Sequence, residues 1–140
     1  MFMMEVVVWL LLIQDGKIFL LEKQREHGFE HRAIGGNVAA GESLKQALKR
    51  EVMEEVGVEI DEQDLDLQYV IDRKLDATHH KLHLFFKVNR YKGAPYNKEA
   101  HIHQSGEWYH LDKLPEDIGP LVKRAIASLT SNKIYDEYGW

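Results

Sequence analysis

One segment constrains this chain more than any other. Leu44 to Val56 lies between Ser43 and Gly57 and reads as an α-helix. Ser43 suits the N-cap, where a side-chain oxygen accepts from a free N–H of the first turn. Gly57 suits the left-handed residue that ends many helices. At ~100° per residue, Leu44, Leu48, Val52 and Val56 form one apolar stripe that must face a core. Glu51, Glu54 and Glu55 fall along the edge of that stripe, with Glu55 between Leu44 and Leu48 in projection. The solvent pole goes instead to Gln46, Lys49 and Met53.

That placement is costly for a helix with no task. Glu51 and Glu54 are i, i+3 and Glu51 and Glu55 are i, i+4, so like charges are neighbours. Each pair costs roughly 0.2–0.5 kcal/mol on an exposed helix, and more when partly buried. The helix dipole also disfavours anions near a C-terminus. Arg50 can neutralise one carboxylate; the others need raised pKa values or a cation. A hard divalent ion, Mg²⁺ or Mn²⁺, takes oxygen ligands and fits. The helix alone leaves open a solvated acidic face with incidental spacing.

The surroundings predict strands. Asp15-Gly16 separates the apolar runs Val6–Ile13 and Ile18–Leu21, as in a hairpin. Glu22 to Arg32 is polar and reads as a loop. Ile34 to Val38 holds a glycine pair inside a short strand, and Leu65–Ile71, Leu82–Val88 and Trp108–Leu111 read as further strands. Lys92 to Gly106 reads as a loop, and Pro120 opens a last helix to Leu129. Strands interleaved with two helices predict a single α/β (α+β) domain over 1–140, a mixed sheet flanked by helices.

Several functions are excluded early. With no cysteine, thiolate zinc sites, disulfides and cysteine nucleophiles are out. A net charge of -5 argues against broad binding to polymeric nucleic acid or anionic lipid. Val6–Ile13 falls short of the ~20 residues that span a bilayer, and it lacks the flanks of a signal peptide. A cytoplasmic location is the default expectation.

The wider pattern is more specific. Gly36, five residues, Glu42, seven residues, then Arg50-Glu51-Val52-Met53-Glu54-Glu55-Val56-Gly57-Val58 resembles the Nudix box with every defining position filled, over 36–58. Lys23, the segment Gly93 to Glu99, and Gly106-Glu107-Trp108 with Leu111 and Leu114-Pro115 resemble the MutT-like branch. The resemblance implies an α/β/α sandwich with a mixed parallel and antiparallel sheet. It implies a pyrophosphohydrolase that acts on a nucleoside diphosphate linked to another group. A nucleoside triphosphate, giving monophosphate and pyrophosphate, is the first expectation. A nucleotide-sugar or ADP-ribose pyrophosphatase is the alternative enzyme, and a non-catalytic nucleotide-sensing domain the alternative of another class.

The same resemblance implies residue roles. Glu51, Glu54, Glu55 and Glu99 would hold the metal with the backbone carbonyl of Gly35. Glu54 or Glu51, with Glu99 behind, would take the proton of the attacking water. Arg50 would orient the glutamates, and Glu42 would pin the loop or touch the metal through water. Lys23, with Arg25 or Arg32, would contact phosphate. Two departures bear on substrate geometry: His31-Arg32-Ala33-Ile34 stands where many members have Trp-x-Leu-Pro, and Asp117 where Asn is common.

Other residues compete for attention. His101 and His103, or His79, His80 and His83, are candidates for a histidine metal site, and His101 or His103 for substrate contact. Trp9, Trp108, Tyr69, Phe85 and Phe86 are candidates for base stacking or plain core. Tyr135, Tyr138 and Trp140 make an aromatic tail that docks either on the domain or on a second copy, which leaves a homodimer open.

Overall fold

The apolar run near the start becomes a strand covered on both faces, which explains why it does not alternate. The computed structural model describes every residue from Met1 to Trp140. In chain order the elements are β1 (Met3–Leu11), β2 (Ile13–Gln14), β3 (Lys17–Arg25), β4 (Gly28–Arg32), β5 (Ile34–Asn37), α1 (Leu44–Val56), β6 (Leu65–Asp76), β7 (His79–Val88), β8 (His103–His110), α2 (Pro120–Ala127) and β9 (Tyr135–Tyr138). A five-stranded sheet runs in the order β5-β1-β7-β6-β9. Pairs β1/β7 and β6/β9 are parallel, and β1/β5 and β6/β7 antiparallel, so the sheet is mixed. In the smaller sheet β3 pairs with β2 and β4 along one edge and with β8 along the other.

Strand alternation splits the core in two. Val8, Leu10, Leu84 and Phe86 point to one side and pack with Ala47, Leu48, Val52 and Val56 of α1. Leu11, Tyr69, Ile71 and Phe85 point to the other and pack with Val122, Ala125 and Ile126 of α2. The result is the expected α/β/α layering. No helix is long and apolar enough to cross a membrane.

Two expected loops are shorter than the sequence suggests. Glu22 to Arg32 is a hairpin, β3 turning into β4 with Arg25 opposite Gly28. Its residues are polar because the ribbon runs out beyond the core, where Gln24, Arg25 and Phe29 are exposed. The long loop after β7 ends at His103 rather than Gly106, because β8 continues pairing as far as Lys23.

The aromatic tail docks on its own domain. β9 adds to β6 in parallel, and the Asp136 carboxylate accepts from the Tyr69 hydroxyl at 2.8 Å and from Arg124 at 3.0 Å. These donors, with the Glu137 N–H and Lys133, hold Asp136 down at about 2 although burial opposes them. Asp136→Ala strands a buried hydroxyl and an arginine, so it is expected to cost about 1–3 kcal/mol in urea unfolding. A loss within error would mean that the tail is not held this way.

Candidate active site

α1 is built to be stable despite its charges. Gln46 N–H donates to Ser43 Oγ at 3.1 Å, and the Gln46 side chain accepts from Ser43 N–H at 2.9 Å, a complete capping box. Gly57 closes the helix at φ 69°. Beyond it, Tyr96 N–H donates to the Val56 carbonyl at 3.2 Å and Lys98 N–H to the Glu55 carbonyl at 3.0 Å. The segment 96–98 thus satisfies carbonyls that a helix end leaves free. That docking delivers Glu99 to the glutamate edge of α1.

Three of the expected carboxylates converge. Glu55 is buried at 5% exposure, and its Oε1 accepts the Gly35 N–H at 2.7 Å. Burial pushes Glu55 up to about 8, with Glu51 and Glu99 adding repulsion; the Gly35 N–H and Arg32 pull the other way. Glu51 is also raised, first by burial and then by Glu54 and Glu99, against the pull of Arg50. Donor atoms of Glu55, Glu99 and His103 lie within 4.8 Å of one another. Glu54 differs: it is exposed and reaches only Arg50, at 3.4 Å.

Arg50 ties the box together. Its Nε and Nη2 donate to the two Glu42 oxygens at 2.7 and 2.9 Å, a bidentate clamp, and Nη1 donates to Glu51 at 3.0 Å. Glu42 also accepts from Ala39 N–H at 2.9 Å, which folds the loop onto the helix. Arg50 and then the Ala39 N–H hold Glu42 at about 2. The glycine pair is needed sterically. A Cβ on Gly35 would lie 2.1 Å from the Val8 carbonyl oxygen, and one on Gly36 would lie 2.7 Å from the Glu51 carboxyl.

The basic candidates gather on the hairpin. Lys23 sits in the middle strand, opposite Glu30 on β4 and His103 on β8. Burial and then Arg32 and Arg25 lower its pKa, so the three cations share one field. Arg25 is tethered to Glu30 at 2.7 Å. The Arg32 guanidinium lies 4.7 Å from the Trp9 ring centroid and feels Glu55 and Glu51. It therefore joins the carboxylates to a cleft of about 290 Å³ between the sheet and the start of α2, lined by Trp9, Arg32, Arg73, His83, Phe85 and Leu121 among others.

The aromatic and histidine candidates separate. Trp108 meets Phe19 edge-on, and Tyr69 and Phe86 belong to the cores, so none of these faces the cleft. Trp9 and Phe85 do line it. His79, His80 and His83 do not converge on a shared point: His79 meets Glu5, His80 packs on Phe2 and Trp140, and His83 bonds Trp9. His101 is exposed, whereas His103 is buried 3.8 Å from Glu55. Asp117 Oδ1 pairs with His31 Nδ1 at 2.5 Å, and Asp117 is not among the residues that line the cleft. His103, a candidate from the sequence for a histidine metal site or substrate contact, instead joins the carboxylates, because the pairing of β8 with β3 brings it there.

His83 carries a stability consequence. Trp9 Nε1–H donates to its Nδ1 at 2.9 Å, which requires a neutral ring with the proton on Nε2. Burial, then Arg73 and Lys81, push its pKa from 6.5 to about 4. The unfolded chain takes up this proton near pH 6.5 and the folded chain only near 4, so stability present above 6.5 is lost as pH falls through that window. Between pH 7 and 4.5 wild type is expected to lose about 2 kcal/mol more than His83→Gln. Identical urea midpoint shifts in the two proteins would remove this assignment.

Comparison with known proteins shows the family and the fold. A family model described as NUDIX domain matches residues 1–129. The oxidized purine nucleoside triphosphate hydrolase of Danio rerio is 27% identical over 120 residues, 82% of this chain and 72% of that protein. The 8-oxo-dGTP diphosphatase of Escherichia coli is 30% identical over 129 residues, 90% of this chain and 95% of that protein. Among solved structures, the MutT NUDIX hydrolase of Burkholderia pseudomallei superposes with a TM-score of 0.81 at 25% identity, covering 91% of this chain and 99% of that one. With its box folded as a strand, a glycine pair and a carboxylate-edged helix, this chain belongs to the Nudix family of hydrolases, which act on pyrophosphate bonds and generally use divalent metals.

Proposed function

We propose that the chain hydrolyses a nucleoside triphosphate to the monophosphate and pyrophosphate, with Mg²⁺ or Mn²⁺ held by Glu51, Glu54, Glu55, Glu99 and the Gly35 carbonyl. Glu55 carries this reading: a carboxyl buried beside two others, with one N–H bond and no ion pair to a lysine or arginine. A donor set of hard oxygens fits such an ion. When bound, it neutralises the diphosphate and acidifies the attacking water.

The chain's own groups supply the rest. Glu54 stands free enough to accept the proton of the water; Glu51 is the second choice, with Glu99 behind. Arg50 holds Glu42 and Glu51 in one geometry. Lys23 and Arg32 provide the positive field for phosphate oxygens, and Arg25 adds to it from the outer hairpin. The base enters the cleft beside Trp9, where His83 Nε2 and Arg32 Nε are donors without partners. The Danio rerio and Escherichia coli relatives are named for oxidised purine triphosphates. Asp117 is engaged with His31 outside the cleft, so this chain reads its base with other groups. A nucleotide substrate and a chain without cysteine suit a cytoplasmic protein.

The test is a panel of nucleoside triphosphates, 8-oxo-dGTP, nucleotide sugars and dinucleotides with Mg²⁺, read by product chromatography. Monophosphate and pyrophosphate from a triphosphate are expected. Preferential cleavage of nucleotide sugars would move the assignment to the alternative enzyme. A nucleotide-induced rise in melting temperature without turnover of anything would move it to a sensing domain.

A further inference from the structure

His103 is buried at the glutamate cluster and has no structural employment there. It opens β8 opposite Lys23, and its backbone is fixed on both sides. Its N–H donates to the Glu99 carbonyl at 3.0 Å, and its own carbonyl accepts from Asn97 Nδ2 at 2.8 Å. That i→i+4 bond closes one helical turn between Glu99 and His103, and residues four apart in such a turn project to the same side. Both side chains therefore face α1.

The ring itself is unpartnered. His103 is 2% exposed, and its Nδ1 is buried without a hydrogen bond. Its Nε2 lies 3.8 Å from Glu55 Oε2, too far for a hydrogen bond. Donors that share an ion, each ~2.1 Å from it, stand roughly 3.0–3.5 Å apart. A shift of a few tenths of an ångström would close the difference between His103 and Glu55, and the Glu99 donor lies within 4.8 Å of both. Nε2, the nitrogen on the Glu55 side, makes no hydrogen bond and is therefore the atom that can offer a lone pair to an ion.

We propose that His103 contributes a nitrogen ligand to the divalent ion held by Glu55 and Glu99, making this site selective for Mn²⁺ over Mg²⁺. The proposal rests on the metal-binding reading above. Imidazole binds Mn²⁺ more readily than Mg²⁺, which prefers an all-oxygen octahedron and keeps its waters. A histidine therefore changes which ion the site takes, even with the carboxylates unchanged.

The decisive measurement is pulsed electron paramagnetic resonance of the full chain with one equivalent of Mn²⁺. Modulation from a directly bound ¹⁴N nucleus is expected in wild type and absent in His103→Gln. Calorimetric titration should show Mn²⁺ affinity reduced at least ~10-fold in His103→Gln, with Mg²⁺ affinity changed less than ~3-fold. Mn²⁺ bound without ¹⁴N modulation overturns the proposal and leaves the metal site standing. Modulation that persists in His103→Gln assigns the nitrogen to another histidine and also overturns it. No Mn²⁺ binding at all removes the metal reading as well. Circular dichroism of the metal-free variant checks its fold; if it is misfolded, the wild-type spectrum alone decides.

Discussion

Glu55→Gln is expected to lower kcat/KM by at least ~10³-fold while the metal-free protein melts higher than wild type. The two effects come from one cause. Glu55 is buried at 5% exposure beside Glu51 and Glu99, and its carboxyl is raised from 4.5 to about 8. A folded value above the unfolded one means that its stability contribution is complete below pH 4.5 and is lost as pH rises through about 8. At neutral pH the metal-free fold therefore carries a penalty of order 2 kcal/mol that Gln removes. Gln keeps an oxygen for the Gly35 N–H, so the contact at 2.7 Å survives. What it loses is the negative charge that a cation needs. Glu54→Gln separates the roles, because Glu54 is 48% exposed and meets only Arg50. It should lose turnover with little change in melting. Full activity in Glu55→Gln would remove it from the site, and a lower metal-free melting temperature would mean that its burial is not the burden described.

The part of this site that was legible in the sequence is the part carried by one helix. Periodicity places Glu55 within the apolar stripe of α1, and the structure buries it there with Leu48 and Val52. Capping by Ser43 and Gly57 is likewise local, since both act on neighbouring backbone. The alternating faces of β1 were hidden by continuous apolarity, because both faces are covered and nothing polar marks the period. Ile18 to Leu21 reads as a strand, but Glu22 to Arg32 of the same hairpin reads as a loop for the opposite reason. Its far half is polar on both sides, since it projects past the core. Glu99 enters the sequence reading only through the family resemblance, and His103 only as one histidine candidate among several, because long-range pairing delivers both. Glu99 arrives because Tyr96 and Lys98 bond the end of α1, and His103 because β8 pairs with β3. β9 is four residues with Asp136 as its anchor, and the bonds of Asp136 to Tyr69 and Arg124 have no local signature.

Gly35→Ala and Gly36→Ala are expected to fail in different ways, although the residues are adjacent. At Gly35 φ is 155°, and an added Cβ would lie 2.1 Å from the Val8 carbonyl oxygen and 2.8 Å from Trp9 Cα. Both obstacles are backbone of β1, where Gly35 pairs with Trp9. Neither can move without breaking the sheet, so Gly35→Ala should cost 3 kcal/mol or more, about the range of severe overpacking plus backbone strain. At Gly36 the obstacle is the Glu51 carboxyl at 2.7 Å, the far end of a flexible side chain. Glu51 can swing aside, so Gly36→Ala should fold with a loss of about 1 kcal/mol or less. The displaced carboxylate also leaves its 3.0 Å bond to Arg50 and its place beside Glu55. Turnover should then fall roughly 10²-fold, as expected when a catalytic group is moved by about an ångström. Urea unfolding and steady-state kinetics of the two variants distinguish these outcomes. A stable but inactive Gly36→Ala beside an unstable Gly35→Ala assigns the first glycine to the sheet and the second to the carboxylate. Full activity in Gly36→Ala would mean that the position of Glu51 against the glycine loop does not matter for the chemistry.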